Sequence, residues 1–357
     1  MKNEIKRVLC AMSGGVDSSV AAVLSLQAGY ECAGLTLKLF KGENICSAFA
    51  DINDAKKVAL NLGMEHFVMD FSDEFDKCVV RHFVETYEQG ATPNPCIQCN
   101  RNIKFNPVLL NNYNNETNDT YDLLVTGHYA RIFQDNASGR FLLQKALDEK
   151  KDQSYVLYCL TQQQLKRSNF PLGSLTKNEV RKIAEENKLV NAAKGESQDI
   201  CFVPDGDYGS FIEKYTGKSY PPGDIIDLEG KVIGRHKGLI RYTIGQRRGL
   251  GVAANTPVYV AAKSTADNTV TLAPDNALYS KSLTANDINL ITCEDIKKPK
   301  RVMVKTRYLQ AAQSAIVEQT ADNCLHIEFD SPQRAITPGQ AAVMYDGDIV
   351  VGGGTII

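Results

Sequence analysis

The sequence predicts an α/β protein: a doubly wound parallel sheet, then a small central domain, then a C-terminal antiparallel β domain. Three features carry this reading. An apolar run, a Gly-rich turn and a helical run follow one another between positions 8 and 26. Strand-like and helix-like periodicities then alternate as far as Thr126. From about Ser282 the helical periodicity disappears, and short β-rich runs recur between turn signals.

The first element is Val8-Leu-Cys-Ala-Met12, which reads as a buried strand. The chain turns through Ser13-Gly14-Gly15-Val16-Asp17-Ser18 and continues from Ser19 to Leu26 as a helix stopping near Gly29. Strand, Gly-rich turn and helix together place free backbone N–H groups and a positive helix end at a phosphate. Gly14 and Gly15 let the backbone approach closely, and Ser13 and Ser18 add hydroxyls. The Gly-Lys-Ser/Thr ending of a Walker A loop is absent, as is Gly-x-Gly-x-x-Gly. An ordinary strand-to-helix turn would use glycines in the same way.

Glu31 to Phe40 reads as a second strand, and Asp51 to Leu62 as a helix with Ile52, Ala55, Val58 and Leu62 on one face and Gly63 as its stop. His66 to Asp70 is a third strand. Ser72 is expected to cap a helix carrying Phe75, Val79, Phe83 and Tyr87 on one stripe. Leu123 to Thr126 is a fourth strand, ending in Gly127-His128-Tyr129. Ligands of such sheets bind beyond the carboxyl ends of the strands, where Gly15, Leu37 and Gly127 lie. Arg140 to Ala146 is one arm of a hairpin turning at 136–139, and Thr176-Lys-Asn-Glu179 is a capping box for a helix through Asn187. A first domain boundary is placed near Pro204-Asp205-Gly206, giving domains over 1–205, 206–281 and 282–357.

The central segment is broken by Pro221-Pro222-Gly223 and a series of further glycines, with strands at Pro257–Lys263 and Thr269–Ala273. The C-terminal runs are Val302–Thr306, Gln313–Val317, Leu325–Phe329, Ala341–Met344 and Ile349–Val350, spaced as in a small barrel or sandwich.

Thr92-Pro-Asn-Pro-Cys96-Ile-Gln-Cys99-Asn100 is the second informative stretch. Two prolines fix an extended approach, so the cysteines are expected on an ordered loop. A third cysteine, Cys201, follows Glu196-Ser-Gln-Asp-Ile about a hundred residues later. Cysteines that meet over a nucleotide can carry sulfur as a persulfide and discharge it by forming a disulfide, and lowered thiol pKa values are expected beside cations and a helix end. A structural zinc site would need a second Cys-x-x-Cys or His pair, which is not found. A thioredoxin-type motif would need a helix start that Pro-Asn-Pro and Asn-Arg-Asn do not offer. An iron–sulfur cluster on Cys96, Cys99 and Cys201, with its fourth position open, stays as an alternative.

The chain has 357 residues, 43% hydrophobic and 23% charged, which supports real cores in two or three domains. The N-terminal stretch has no apolar h-region, and no apolar run reaches membrane-spanning length, so a cytoplasmic location without membrane association is expected. Ten cysteines in that compartment point to chemistry or a metal rather than to a disulfide framework. Lys plus Arg number 40 against 42 Asp plus Glu, so any RNA site must be a local basic patch. Arg235-His-Lys-Gly-Leu-Ile-Arg241-Tyr242-Thr-Ile-Gly-Gln-Arg247-Arg248 is such a patch, with tyrosine and glycine between its charges.

Ser-Gly-Gly-x-Asp-Ser between a strand and a helix resembles the pyrophosphate-binding loop of N-type ATP pyrophosphatases. That loop, Asn94-Pro95-x-x-x-Cys99-Asn100, Gly127-His128-Tyr129-Ala130, Lys151-Asp152-Gln153-Ser154, Asp199-Ile200-Cys201-Phe202 and Tyr242–Gly251 occur in order. Together they resemble the bacterial tRNA-specific 2-thiouridylase family across nearly the whole chain. The resemblance implies an ATP pyrophosphatase domain of doubly wound α/β type, a small central domain and a C-terminal antiparallel β-barrel, the last two contacting tRNA. The reaction it implies is ATP-dependent 2-thiolation of the wobble uridine. Cys201 would carry the persulfide and Cys99 would free the sulfur, ending as a disulfide with Cys201. Ala11, Met12, Ser13, Gly14, Gly15, Val16, Asp17, Ser18, Leu37 and Gly127 would contact ATP, with Mg²⁺ at the phosphates and Asp17 its partner. Asn94, Pro95 and Cys96 would lie against the target base. His128, Lys151, Asp152, Gln153, Arg307, Tyr308 and Gln340 would contact tRNA. A persulfide donor protein, a cysteine desulfurase or a relay, would supply the sulfur. Two positions depart from the common family pattern: Cys96 stands where Asp is usual, and Leu37 where Met is usual.

Two further readings stay open on the residues alone. One is an ATP pyrophosphatase-type ligase acting on a small carbonyl substrate. The other is an RNA-binding protein with a Cys-bound metal and a vestigial loop.

Overall fold

The structure, a computed structural model, describes residues 6–41, 46–110, 120–195, 200–254 and 256–357. In chain order the strands are β1 (Arg7–Ala11), β2 (Glu31–Lys38), β3 (Glu65–Asp70), β4 (Leu123–Val125), β5 (Arg131–Gln134), β6 (Phe141–Gln144), β7 (Ser168–Asn169), β8 (Gly223–Ile226), β9 (Val232–His236), β10 (Tyr259–Ser264), β11 (Thr269–Ala273), β12 (Tyr279–Leu290), β13 (Lys300–Lys305), β14 (Gln313–Ala321), β15 (Cys324–Arg334), β16 (Ala341–Asp346) and β17 (Ile349–Ile356). The helices are α1 (Val16–Gln27), α2 (Cys46–Asn61), α3 (Ser72–Phe75), α4 (Arg81–Glu88), α5 (Pro95–Cys99), α6 (Ser154–Leu157), α7 (Gln162–Lys166), α8 (Lys177–Glu186) and α9 (Tyr208–Thr216). Residue contacts divide the chain into two compact units. One holds Met1–Val79, Cys96–Glu196 and Asp346–Gly352; the other holds Val80–Pro95, Ser197–Tyr345 and Gly353–Ile357.

The first unit is built on a parallel sheet of order β3-β2-β1-β4-β7. Neighbouring strands run outward from β1 in both directions, so the loops after β1 and β4 open on the switch point of the sheet, where such folds take ligands. Val8, Cys10 and Met12 point to one face. There they bury with Val20 and Val23 of α1, Ala55 and Val58 of α2, and Val180 and Ala184 of α8. Leu9, between them, is fully buried on the other face, as a sheet covered on both sides requires. The capping box at Thr176 forms as expected: its hydroxyl accepts from the Glu179 amide while the Glu179 side chain takes the Thr176 amide.

Ser72 does not cap. Phe71 takes that place, and the Ser72 hydroxyl donates to Asp70 Oδ1 at 2.5 Å. A π-helical turn, Asp76–Val80, separates α3 from α4, yet Phe75, Val79, Phe83 and Tyr87 are all buried. The wider turn restores the four-residue stripe that a straight helix would rotate away.

In the second unit α4 and α9 share an aromatic cluster. Phe83 meets the rings of Phe202 and Phe211 edge-on at 5.1 and 6.3 Å, and Tyr87 stacks on Tyr208 at 4.9 Å. The central sheet has the order β10-β11-β8-β9, with β11 and β8 parallel. β12 to β17 form an antiparallel barrel of order β12-β15-β14-β13-β16-β17, closed by pairing of β12 with β17. The alternative of a sandwich is thereby set aside. β12 has no counterpart in the runs expected from sequence, because Leu283 and Ala285 are its only fully inward apolar pair.

Candidate functional site

The nucleotide-type loop leaves β1 at Ala11 and enters α1 at Val16, three residues earlier than its apolar periodicity suggests. Gly14 has φ +75°, and a Cβ there would run into the Asp51 carbonyl. Gly15 is the helix cap and brings no capping side chain. The first turn of a helix carries N–H groups without intrahelical partners and the positive end of its dipole. Hydroxyls brace the turn from inside: Ser18 Oγ accepts from the Ser13 amide and donates to the Gly15 carbonyl, at 3.1 and 3.0 Å. Ser19 Oγ donates to the same carbonyl at 3.0 Å. Gly127, just after β4, touches this turn; a Cβ there would lie 2.6 Å from the Ser18 amide nitrogen. Met12 is buried, and Leu37 at the end of β2 is half-buried, an apolar shelf beside the loop strand.

Four residues from outside the loop complete its surroundings. Tyr129 Oη donates to Asp17 Oδ1 at 2.8 Å, and Lys177 Nζ donates to the same oxygen at 2.6 Å. Asn191 Nδ2 reaches the Gly14 carbonyl and Ser19 Oγ, both at 2.9 Å. Lys194 Nζ pairs with Asp51 Oδ1 at 2.6 Å and Asp54 Oδ2 at 2.9 Å, and lies 3.4 Å from the Gly14 carbonyl. Partial burial pulls Lys194 down, but the two carboxylates outweigh it and hold the ammonium above its ordinary pKa.

The first two cysteines stand on a helix, not on the expected loop. Pro95 opens α5, where its missing N–H costs nothing, and a π-helical turn, Asn100–Lys104, continues from Cys99. Cys96 is exposed and Cys99 is buried, and both are free thiols. Burial pushes the Cys99 thiol above its ordinary value, and the charge of Lys104 offsets only part of this. The expected lowering therefore does not hold for Cys99. Cys201 is an exposed cysteine in the second unit, beside the buried ring of Phe202. Residues 196–199 ahead of it, including Asp199, lie outside the described residues. Among the described residues no three His, Cys, Asp or Glu side chains gather as metal ligands; Cys96 and Cys99 belong to the first unit and Cys201 to the second.

Most side chains expected on tRNA are engaged within the protein. His128 is buried, with Nδ1 2.7 Å from Thr126 Oγ1 and its ring 5.6 Å from Phe105 and 5.8 Å from Phe170. Burial first, then Lys104, drives its pKa well down, so it offers no cation to a phosphate. Asp152 is buried and takes the Ala146 and Ser154 amides and the Ser154 hydroxyl. Gln153 Oε1 takes the Tyr129 amide at 2.9 Å. Arg307 Nη2 donates to the carbonyls of Ile244 and Ala335 and to Thr337 Oγ1. Gln340 Nε2 donates to the carbonyls of Thr92 and Pro93. Lys151 and Tyr308 are half-buried, as is Asn94, while Pro95 is buried. In the basic patch Arg235, Lys237, Arg247 and Arg248 are exposed, whereas Arg241 is held by Asp207 and Glu213.

No helix among the described residues is long and apolar enough to cross a membrane. Residues 6–205 match the family model described as tRNA methyl transferase HUP domain, 209–274 the tRNA methyl transferase PRC-barrel domain, and 280–356 the aminomethyltransferase beta-barrel domain. A tRNA-specific 2-thiouridylase MnmA of Acetivibrio thermocellus is 45% identical over 98% of this chain and 99% of its own length. Those of Heliobacterium modesticaldum and Clostridioides difficile are 46% and 42% identical, each over 98% of this chain and over 92% and 98% of their own. Among solved structures, a predicted subunit of a tRNA methyltransferase from Methanocaldococcus jannaschii aligns at TM-score 0.34 and 18% identity, over 60% of this chain and 89% of that one. That likeness is too weak to bear on the fold. End-to-end similarity above 40%, on a chain carrying the pyrophosphatase-type loop and both cysteine motifs, decides the matter: the chain belongs to the tRNA-specific 2-thiouridylase MnmA family.

Proposed function

We infer that this protein replaces the C2 oxygen of the wobble uridine of tRNA with sulfur, consuming ATP. The observation that carries the reading is the uncapped N-terminus of α1 behind Ser13–Gly15, in a chain that aligns with thiouridylases over 98% of its length. The amides of that turn would take the ATP phosphates, Leu37 would lie against the adenine, and Gly127 would leave room for close approach. The uracil O2 attacks the α-phosphorus and pyrophosphate leaves, which makes O2 a good leaving group. Mg²⁺ would neutralise the phosphates when bound with ATP, and Asp17 would hold it through the carboxylate oxygen not engaged by Tyr129 and Lys177.

Cys201 would carry the incoming sulfur as a persulfide, loaded by a donor protein that its exposed turn can reach. The terminal sulfur forms a bond to C2 and AMP departs with the former O2. Cys99 thiolate then attacks the Cys201 sulfur, giving a Cys99–Cys201 disulfide and leaving the sulfur on the base; an external thiol resets the pair. Asn94, Pro95 and Cys96 would line the base side, with Gln340 bracing the segment that leads into them. The exposed cations Arg235, Lys237, Arg247 and Arg248 would take the tRNA backbone. His128, Asp152, Gln153 and Arg307 would act from inside, holding the surfaces that tRNA meets.

The test is a reconstitution with tRNA, ATP and a persulfide donor. The expected result is 2-thiouridine and pyrophosphate in equal amounts, and no 2-thiouridine from Cys99→Ser or Cys201→Ser. Pyrophosphate release indifferent to tRNA would favour a ligase acting on a small carbonyl substrate. Full thiolation by both variants would overturn the persulfide scheme.

A further inference from the structure

Lys194 and Asn191 reach the pyrophosphate-type loop from about 180 positions away, and neither belongs to the loop's motif. Asn191 is 4% exposed, and its amide orientation is determined by its partners. Nδ2 faces a carbonyl and a hydroxyl that has already given its proton to Gly15, so turning the amide would set oxygen against oxygen. Its Oδ1 is buried with no partner among the described residues. The Asn191–Lys194 segment is thus tied to the back of the loop, at a cost in one unsatisfied buried acceptor.

Lys194 is the solvent-open charge of this arrangement. Its ammonium lies 3.4 Å from the Gly14 carbonyl, and its side chain is one-third exposed. Its partners Asp51 and Asp54 are exposed to a similar degree, 42% and 31%. Ion pairs this open to water are weakly held and exchange partners cheaply. A polyphosphate is a denser anion than either carboxylate. The other lysine at the loop, Lys177, is less free to move, with 12% of its side chain exposed and its ammonium on Asp17.

We propose that Lys194 is a phosphate-binding residue of the ATP site, exchanging Asp51 and Asp54 for the β,γ-phosphates when ATP binds. Asn191 is its positioning residue, fixing the segment against Gly14 and Ser19. The proposal rests on the reading of the loop as an ATP site. It assigns Asp51 and Asp54 a holding role that is dispensable once the nucleotide is bound.

The experiment measures binding of ATP, pyrophosphate and AMP to the full-length protein by calorimetry, for wild type, Lys194→Gln, Lys194→Arg and the double variant Asp51→Asn/Asp54→Asn. Lys194→Gln is expected to weaken ATP and pyrophosphate at least tenfold and to leave AMP within twofold. Lys194→Arg is expected to restore most of the loss. The Asp51/Asp54 double variant is expected to bind ATP as well as wild type or better, because it frees the lysine. If Lys194→Gln binds ATP like wild type, the proposal fails. It fails equally if the double variant loses ATP binding as Lys194→Gln does, since Lys194 would then be only a structural pin. Failure of wild type to bind ATP at all would instead overturn the reading of the loop.

Discussion

Gln340 and Thr92 are 248 positions apart, yet the Gln340 amide donates to the Thr92 carbonyl at 3.0 Å and to the Pro93 carbonyl at 3.2 Å. Gly339, at φ +88°, lies so close to the Thr92 backbone that a Cβ would come within 2.8 Å of its carbonyl oxygen. The barrel strand β16 thus begins beside a bracket on the segment that enters α5. Gln340→Ala should cost about 1 kcal/mol of stability, the worth of a typical internal hydrogen bond. It should also lower kcat/KM for tRNA several-fold while KM for ATP stays unchanged. Steady-state kinetics with each substrate varied in turn would check this split, and an unchanged tRNA term would refute it.

Cys99 gives a pH dependence. The thiolate is the nucleophile, and burial raises the thiol above its ordinary value, so at neutral pH the reactive form is scarce. Release of sulfur from the Cys201-persulfide enzyme should therefore accelerate with pH, about tenfold per unit while the thiol remains mostly protonated. Lys104→Gln removes a charge that favours the thiolate and should slow the step at any given pH in that range. Single-turnover assays from pH 7 to pH 9 would reveal a flat profile if Cys99 is not the attacking group.

Gly127 lacks room for any side chain, because its neighbours are the backbone atoms of Asp17 and Ser18 rather than flexible groups. Gly127→Ala should displace the first turn of α1 and lower ATP affinity by tenfold or more, about 1.4 kcal/mol. Calorimetry alongside thermal melting would check it, and a variant with wild-type affinity would show the turn to be more pliable than its packing implies.

Lys263 donates to the Tyr242 carbonyl, and burial alone lowers its pKa to about 8. In the unfolded chain the group titrates near its ordinary value of 10.5. The unfolded state then binds more protons between those values, so this residue makes stability rise with pH across that window and penalises the fold below it. Lys263→Met should flatten that rise, by at most about 3 kcal/mol over the window. Chemical denaturation of both proteins at pH 7.5 and pH 9.5 gives the comparison; parallel slopes would contradict the assignment.

The loop and its sheet are legible in the sequence because each step has a local cause: Val8–Met12 is uninterrupted apolar chain, and Gly14 and Gly15 stand where backbone must approach. The capping box at Thr176 is legible for the same reason. Lys177, Asn191 and Lys194 are not, since they meet the loop only through the third dimension and their own neighbours are ordinary helix and turn residues. Ser72 looks like a cap, but Asp70 two residues earlier claims its hydroxyl. Pro93 and Pro95 suggest extended chain through Cys99; what decides the outcome is that Pro95 falls at the first helical position, where a proline is at home. His128 shows a limit of motif reading: its place beside Gly127 invites a ligand role, while Phe105 and Phe170 enclose it.

Closure of the barrel by β12 and β17 has a kinetic consequence. Its first and last strands are direct neighbours, so a ribosome must deliver the stretch around Ile349–Ile356 before the ring can shut. Until then β12 and β16 each offer an unpaired edge, the kind of surface that invites association with other nascent chains. Completion of this domain therefore waits on its last strand, and a variant lacking β17 should be prone to self-association.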